Sequence, residues 1–96
     1  MSQVAIAVEF HVKPDQRQAF ERIIREHARK TKESEPKCLR FDVLIPKQDD
    51  GRVLLFELYA DDEAFKFHSS QPRLQEVRKA YEAMISDRKI TVCTTE

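Results

Sequence analysis

Residues 52–60, Arg-Val-Leu-Leu-Phe-Glu-Leu-Tyr-Ala, constrain the fold of this chain more than any other segment. They read as a strand that is apolar on both faces, with Glu57 as the exception. Such a strand wants cover on both sides. It belongs inside a sheet, with helices over one face and a second layer over the other.

The flanking segments supply the rest of that sheet. Val4, Ile6, Val8, Phe10 and Val12 alternate with Ala5, Ala7, Glu9 and His11, the period of two expected of a strand. Pro14 and Asp15 suit a first helical turn. Phe20, Ile23, Ile24, His27, Ala28 and Thr31 then recur at helical spacing, predicting a helix from about 14 to 33 that Pro36 prevents from continuing. Residues 38–45 predict a second strand, with Leu39, Phe41, Val43 and Ile45 on one face and Cys38, Arg40, Asp42 and Leu44 on the other. Turn chemistry over residues 46–51, ending in Asp50-Gly51, makes strand three antiparallel to strand two. Asp61-Asp62-Glu63 opens a short helix carrying Ala64, Phe65 and His68 on one face. After a break at residues 69–72, a longer helix is expected over 73–86, striped by Leu74, Val77, Tyr81, Met84 and Ile85. A last strand is expected over 89–94.

The order β-α-β-β-α-β is the split βαβ, or ferredoxin-like, plan of the α+β class. It predicts one domain over residues 1–96, an antiparallel sheet and helices on one face. The simplest cover for the other face is a second copy of the sheet, so a homodimer is expected. At 96 residues the chain buries only about 60–65% of its unfolded surface, which also favours a partner subunit.

Seventeen basic residues balance seventeen acidic ones, which excludes nucleic acid as a default partner. No run approaches the ~20 apolar residues that cross a bilayer, and residues 1–9 lack the basic start of a secretory signal. Cys38 and Cys93 form no CxxC and read as reduced thiols, so a cytoplasmic location is expected. One glycine excludes a phosphate-binding loop, and His11, His27 and His68 show no metal-ligand spacing, so no metal is expected.

Three features point to chemistry. Burying a lone carboxylate costs several kcal/mol unless it is protonated or partnered. Glu57 is therefore either a cavity-lining acid or base, or half of an edge or dimer ion pair. His68 shares the sheet-facing side of its helix and is either a satisfied core histidine or the partner of Glu57 in proton transfer. His27, on the apolar face of the first helix, presents the same choice as a candidate ligand contact. Arg40 and Asp42, with Phe41 and Tyr59, form either a cross-strand ion pair over core aromatics or the rim of a small-molecule pocket.

Three motifs resemble the antibiotic biosynthesis monooxygenase (ABM) domain across about residues 3–93: Cys38-Leu39-Arg40-Phe41-Asp42-Val43, Phe56-Glu57-Leu58-Tyr59, and Asp61 through His68. The resemblance implies a dimeric α+β barrel with facing sheets and oxidation of quinol-like, phenolic or polycyclic aromatic substrates by O₂ without a cofactor. The matched positions are Arg40, Phe41, Asp42, Glu57, Tyr59 and His68. The chain departs from the pattern at Lys37, where Gly is usual, and at Arg73, where His is common, which removes a possible pocket imidazole. Similar sequences include an isomerase of a phosphorylated autoinducer-2 derivative, for which Arg40, Arg73 and Lys37 are candidate phosphate ligands. They also include proteins with no demonstrated chemistry, so a non-catalytic ligand-binding dimer is the third reading. Haem-degrading relatives are disfavoured because the chain has no Trp.

Overall fold

The computed structural model describes residues 2–96, and Met1 lies outside it. Strands β1 (Val4–Val12), β2 (Cys38–Leu44), β3 (Arg52–Tyr59) and β4 (Ile85–Thr94) form one antiparallel sheet in the order β2-β3-β1-β4. Helices α1 (Arg17–Ser34), α2 (Asp62–Ser69) and α3 (Pro72–Tyr81) pack on one face of it. This is the ferredoxin-like α+β fold.

The central strands obey their hydropathy. All five of Val4, Ile6, Val8, Phe10 and Val12 are buried on the helix side, opposite Tyr59, Glu57, Leu55 and Val53 of β3. Phe10, Phe20 of α1 and Tyr81 of α3 meet edge to face, with centroids 4.9–5.5 Å apart. Each ring buried this way stabilises the fold by about 1.5–3 kcal/mol, and the edge-to-face geometry adds to that. Pro36 and the extended backbone of Glu35 end α1, and the Glu35 N–H returns to the Thr31 carbonyl at 2.9 Å.

Two expectations need correction. The register of β2 shifts between Cys38 and Arg40, a bulge that places Cys38 on the helix side with Phe41, both buried, and leaves Leu39 exposed. Strict alternation misses such an inserted residue. The helix expected over 73–86 ends at Tyr81, tightens into a 3₁₀ turn over Glu82–Met84, and gives way to β4 at Ile85 rather than at Lys89. Val12 pairs with Ile85, His11 with Asp87 and Phe10 with Arg88, so pairing with β1 recruits a polar stretch that has no strand pattern of its own.

The other sheet face carries half-buried Ala5 of β1 and Leu54, Phe56 and Leu58 of β3, with Ala7 and Leu44 exposed. No described helix covers it. No described helix is long and apolar enough to cross a membrane.

Candidate active site

Glu57 points from β3 toward the helices and is 6% exposed. The Tyr59 phenol, two residues along the same face and fully buried, donates to Glu57 Oε1 at 2.6 Å. Burial pushes the Glu57 carboxyl above the usual carboxylate range, outweighing the lowering from Tyr59 and from His68. Burial, then the Glu57 charge, also raises the Tyr59 phenol, which stays protonated as a donor.

His68 is carried by α2, whose start is fixed where the sequence marks it. The Asp61 side chain accepts from the Ala64 N–H at 2.8 Å, and Asp62 and Glu63 occupy the first turn. Ala64 and His68, four residues apart, are its buried residues. His68 Nδ1 lies 3.1 Å from Glu35 Oε2, while Nε2 lies 3.8 Å from Glu57 Oε1. Only the first is hydrogen-bonding distance. The orienting partner of His68 is therefore Glu35, and the pairing with Glu57 expected from the sequence is looser than a hydrogen bond.

Glu35 is 4% exposed and accepts from Arg73 at 3.1 Å, and the same guanidinium reaches Thr31 Oγ1 at 3.3 Å. A carboxylate held by a guanidinium acts as an acceptor, so it takes the Nδ1–H of His68 and leaves the Nε2 lone pair facing Glu57. Glu35 is not among the site residues expected from the sequence. Its signal is a carboxylate at the C-terminal end of α1, where the helix dipole repels it and a cation is required. Arg73 supplies that cation and locks Glu35 electrostatically.

His27 shares a face of α1 with Thr31 and Glu35 at intervals of four, and all three are buried. Its ring lies 5.7 Å from that of His68 and edge-on to Phe41 at 5.4 Å. Burial lowers it to about 4, helped by His68, Arg73 and Arg78, so it is a neutral imidazole at physiological pH. Its Nδ1 is buried without a hydrogen-bond partner. Phe41 backs the two imidazoles from β2. Cys38, beside this cluster, is pushed up to about 11 by burial and then by Glu35 and Glu57, an unreactive thiol.

Arg40 and Asp42 are not part of this assembly. Their register partners are Leu58 and Phe56, on the face away from the helices. There Arg40 donates to Asp42 at 2.6 Å in an exposed pair and stacks over Phe56 at 5.4 Å. The alternation of β2 beyond the bulge sends Phe41 inward and its two charged neighbours outward, so neither reaches the helix-side cavity.

Glu57, His27 and His68 line a cavity of about 70 Å³ between the sheet and the helices. That is room for a few waters or a small polar group and is well below a typical ligand pocket. Arg78 of α3 with Arg88 and Ile90 of β4 line its more exposed side. Phe41 and Tyr59 stand behind the lining rather than in it.

A model of the family described as antibiotic biosynthesis monooxygenase matches residues 3–80. The chain belongs to that family. Among solved structures, a Caulobacter crescentus protein provisionally named as an antibiotic biosynthesis monooxygenase is 23% identical, with TM-score 0.93 over 99% of this chain and 91% of that one. A Nitrosomonas europaea protein named in the same way is 24% identical, with TM-score 0.87 over 94% and 95% of the two chains. A third, from Deinococcus radiodurans, is 19% identical, with TM-score 0.90 over 97% and 92%. At these identities the likeness establishes the fold. No curated protein matches the chain significantly.

Proposed function

We propose that this ABM-family chain is a monooxygenase that oxidises a small quinol or phenol with O₂ and needs no cofactor for it. The observation carrying this reading is His68: one ring nitrogen is tied to Glu35 at 3.1 Å and the other is turned toward the cavity and Glu57. An imidazole held in one tautomer, with its other nitrogen facing a small cavity, is built to take a proton from a substrate hydroxyl.

In this mechanism His68 Nε2 removes the proton from a ring hydroxyl, and the electron-rich phenolate gives one electron to O₂. The resulting radical pair forms a C–O bond at the ring. The O–O bond then breaks as the oxygenated ring carbon loses its hydrogen, and the distal oxygen leaves as water carrying that proton and the one His68 returns. Hydroquinone plus O₂ thus becomes hydroxyquinone plus water, O₂ accepting four electrons in all. Glu57, whose raised carboxyl favours the protonated form, donates a hydrogen bond where oxygen charge develops. His27 offers its unpartnered Nδ1 to a second ring oxygen. Tyr59 and Phe41 are positioning residues behind this set.

The cavity's small volume favours a second reading, an isomerase of a small carbonyl compound, in which His68 and Glu57 move a proton between carbons without O₂. Oxygen uptake by metal-free protein on hydroquinone separates the two. Stoichiometric uptake that falls by about 10²–10³ in His68→Ala is the expected result. Turnover that persists without oxygen overturns the oxygenase reading.

The same proposal takes the working unit as a homodimer closed over the bare face, where Leu54, Phe56 and Leu58 offer a self-complementary apolar row on an extended sheet. Sedimentation velocity at micromolar concentration tests it, and a single 11.3 kDa species overturns it.

A further inference from the structure

Arginines in this protein come with carboxylates. Six of the nine have an acid within 4.0 Å: Arg17, Arg25, Arg29, Arg40, Arg52 and Arg73. Arg78 and Arg88 have none among the described residues, although Glu82 and Asp87 are close in sequence. Yet these two line the same cavity as Glu57, His27 and His68, and both also line a second, larger hollow of about 520 Å³. The two hollows adjoin at Arg78, Tyr81 and Arg88.

Tyr81 ties the pair together. Its ring is packed against Phe10 and Phe20, and its hydroxyl accepts from Arg88 at 3.0 Å, holding that guanidinium by one nitrogen and leaving its other donors open. Arg88 reaches this place because β4 begins early and pairs it with Phe10. Arg78 approaches from α3, half-buried, and its charge is felt by both His27 and Glu57. Two guanidinium groups with no acid within 4.0 Å among the described residues, beside a hollow that Lys79 and Glu82 also line, stand at the head of a cavity whose floor holds the proton-transfer groups and define a bipartite site. The floor takes a hydroxyl or carbonyl, and the head takes a planar or tetrahedral anion.

We infer that the substrate is an acid: a hydroxylated ring or small enolisable compound bearing a carboxylate or phosphate, its anion held between Arg78 and Arg88 and its reacting hydroxyl lowered toward His68 and Glu57. This deepens the proton-transfer reading of the site and rests on it. It also accounts for the small inner cavity, which needs to admit only the reacting end while the rest of the molecule lies in the larger hollow.

Binding without turnover tests it. Under nitrogen, calorimetric titration compares hydroquinone with gentisate, the same ring plus a carboxylate, and with 4-hydroxyphenyl phosphate, the same ring with a phosphate. At least one anionic ring is expected to bind about tenfold tighter than hydroquinone, and which of the two does so separates a carboxylate site from a phosphate site. In Arg78→Gln/Arg88→Gln that advantage disappears while hydroquinone affinity stays within about twofold. Melting curves check that the variant is folded. Salt titration of the unmodified protein supplies a second measurement, with the anion's advantage shrinking as ionic strength rises. Equal affinity for charged and neutral rings overturns the inference, as does failure of both anionic rings to bind at millimolar concentration, or an advantage untouched by the double substitution. Oxygen uptake is not involved, so this inference and the oxygenase reading fail separately.

Discussion

Helix α1 uses arginine and glutamate in two settings. Along its outer side, Glu21 meets Arg17 and Arg25 at 2.7 and 3.0 Å, and Arg29 pairs with Glu26 and with Glu33. At its inner C-terminal end, Glu35 meets Arg73 and His68, each at 3.1 Å. The distances are alike and the surroundings are not. The outer pairs sit at helical spacing, those of Arg29 in water and that of Arg17 half-buried at the surface, and where water reaches them screening and the entropy of long side chains cancel most of the attraction. Glu35 is almost wholly buried, and there an unpaired charge is expensive, so its two partners are held in one arrangement. Identical ion-pair chemistry thus gives solubility on one side and a fixed imidazole on the other.

Removing a carboxylate from each setting is the sharpest way to break this comparison. Glu35→Ala leaves Arg73 and His68 facing an empty, poorly hydrated site. Urea unfolding should show a loss of about 3 kcal/mol, reduced somewhat because a quarter of the Arg73 side chain reaches solvent. Turnover should drop about a hundredfold as His68 loses the acceptor that sets its tautomer. Unchanged activity in that variant removes Glu35 from the mechanism. Glu33→Ala, on the outer side, should move neither reading.

Glu57→Gln has a smaller effect on stability and a definite sign. Gln preserves the shape and can still accept from Tyr59. The Glu57 carboxyl is raised in the folded state, so the folded protein holds that proton longer than the unfolded one, and stability contributed by the protonated form is lost as pH rises through the raised value. Thermal melts should show the variant gaining on the parent protein as pH climbs above the ordinary carboxylate range. A gain that grows instead toward acid pH contradicts the raised carboxyl.

Much of this was readable before any coordinates. The alternation of Val4 through Val12, the acids after Tyr59 and Pro36 mark β1, the start of α2 and the end of α1, and helical spacing puts His27 and His68 on faces that look toward the sheet. Three things were not. The bulge at Cys38 inserts a residue that no period of two can reveal. Ser86 to Lys89 of β4 are polar, and only pairing with β1 makes them part of a strand. Glu35 and Arg73 meet across 38 residues of sequence, and no local pattern encodes that contact. Their chemistry follows from one awkward placement, an acid at the wrong end of a helix.

Strand β4 is ten residues long and forms one border of the sheet, and from Ser86 to Thr94 every residue is exposed. Its outer rim is a row of unfilled backbone donors and acceptors, the kind of template on which chains stack into fibrils. Asp87, Arg88 and Lys89 act as gatekeepers against such stacking. The arginine that greets a ligand at the head of the cavity therefore also helps keep neighbouring molecules in a crowded solution from zipping onto one another.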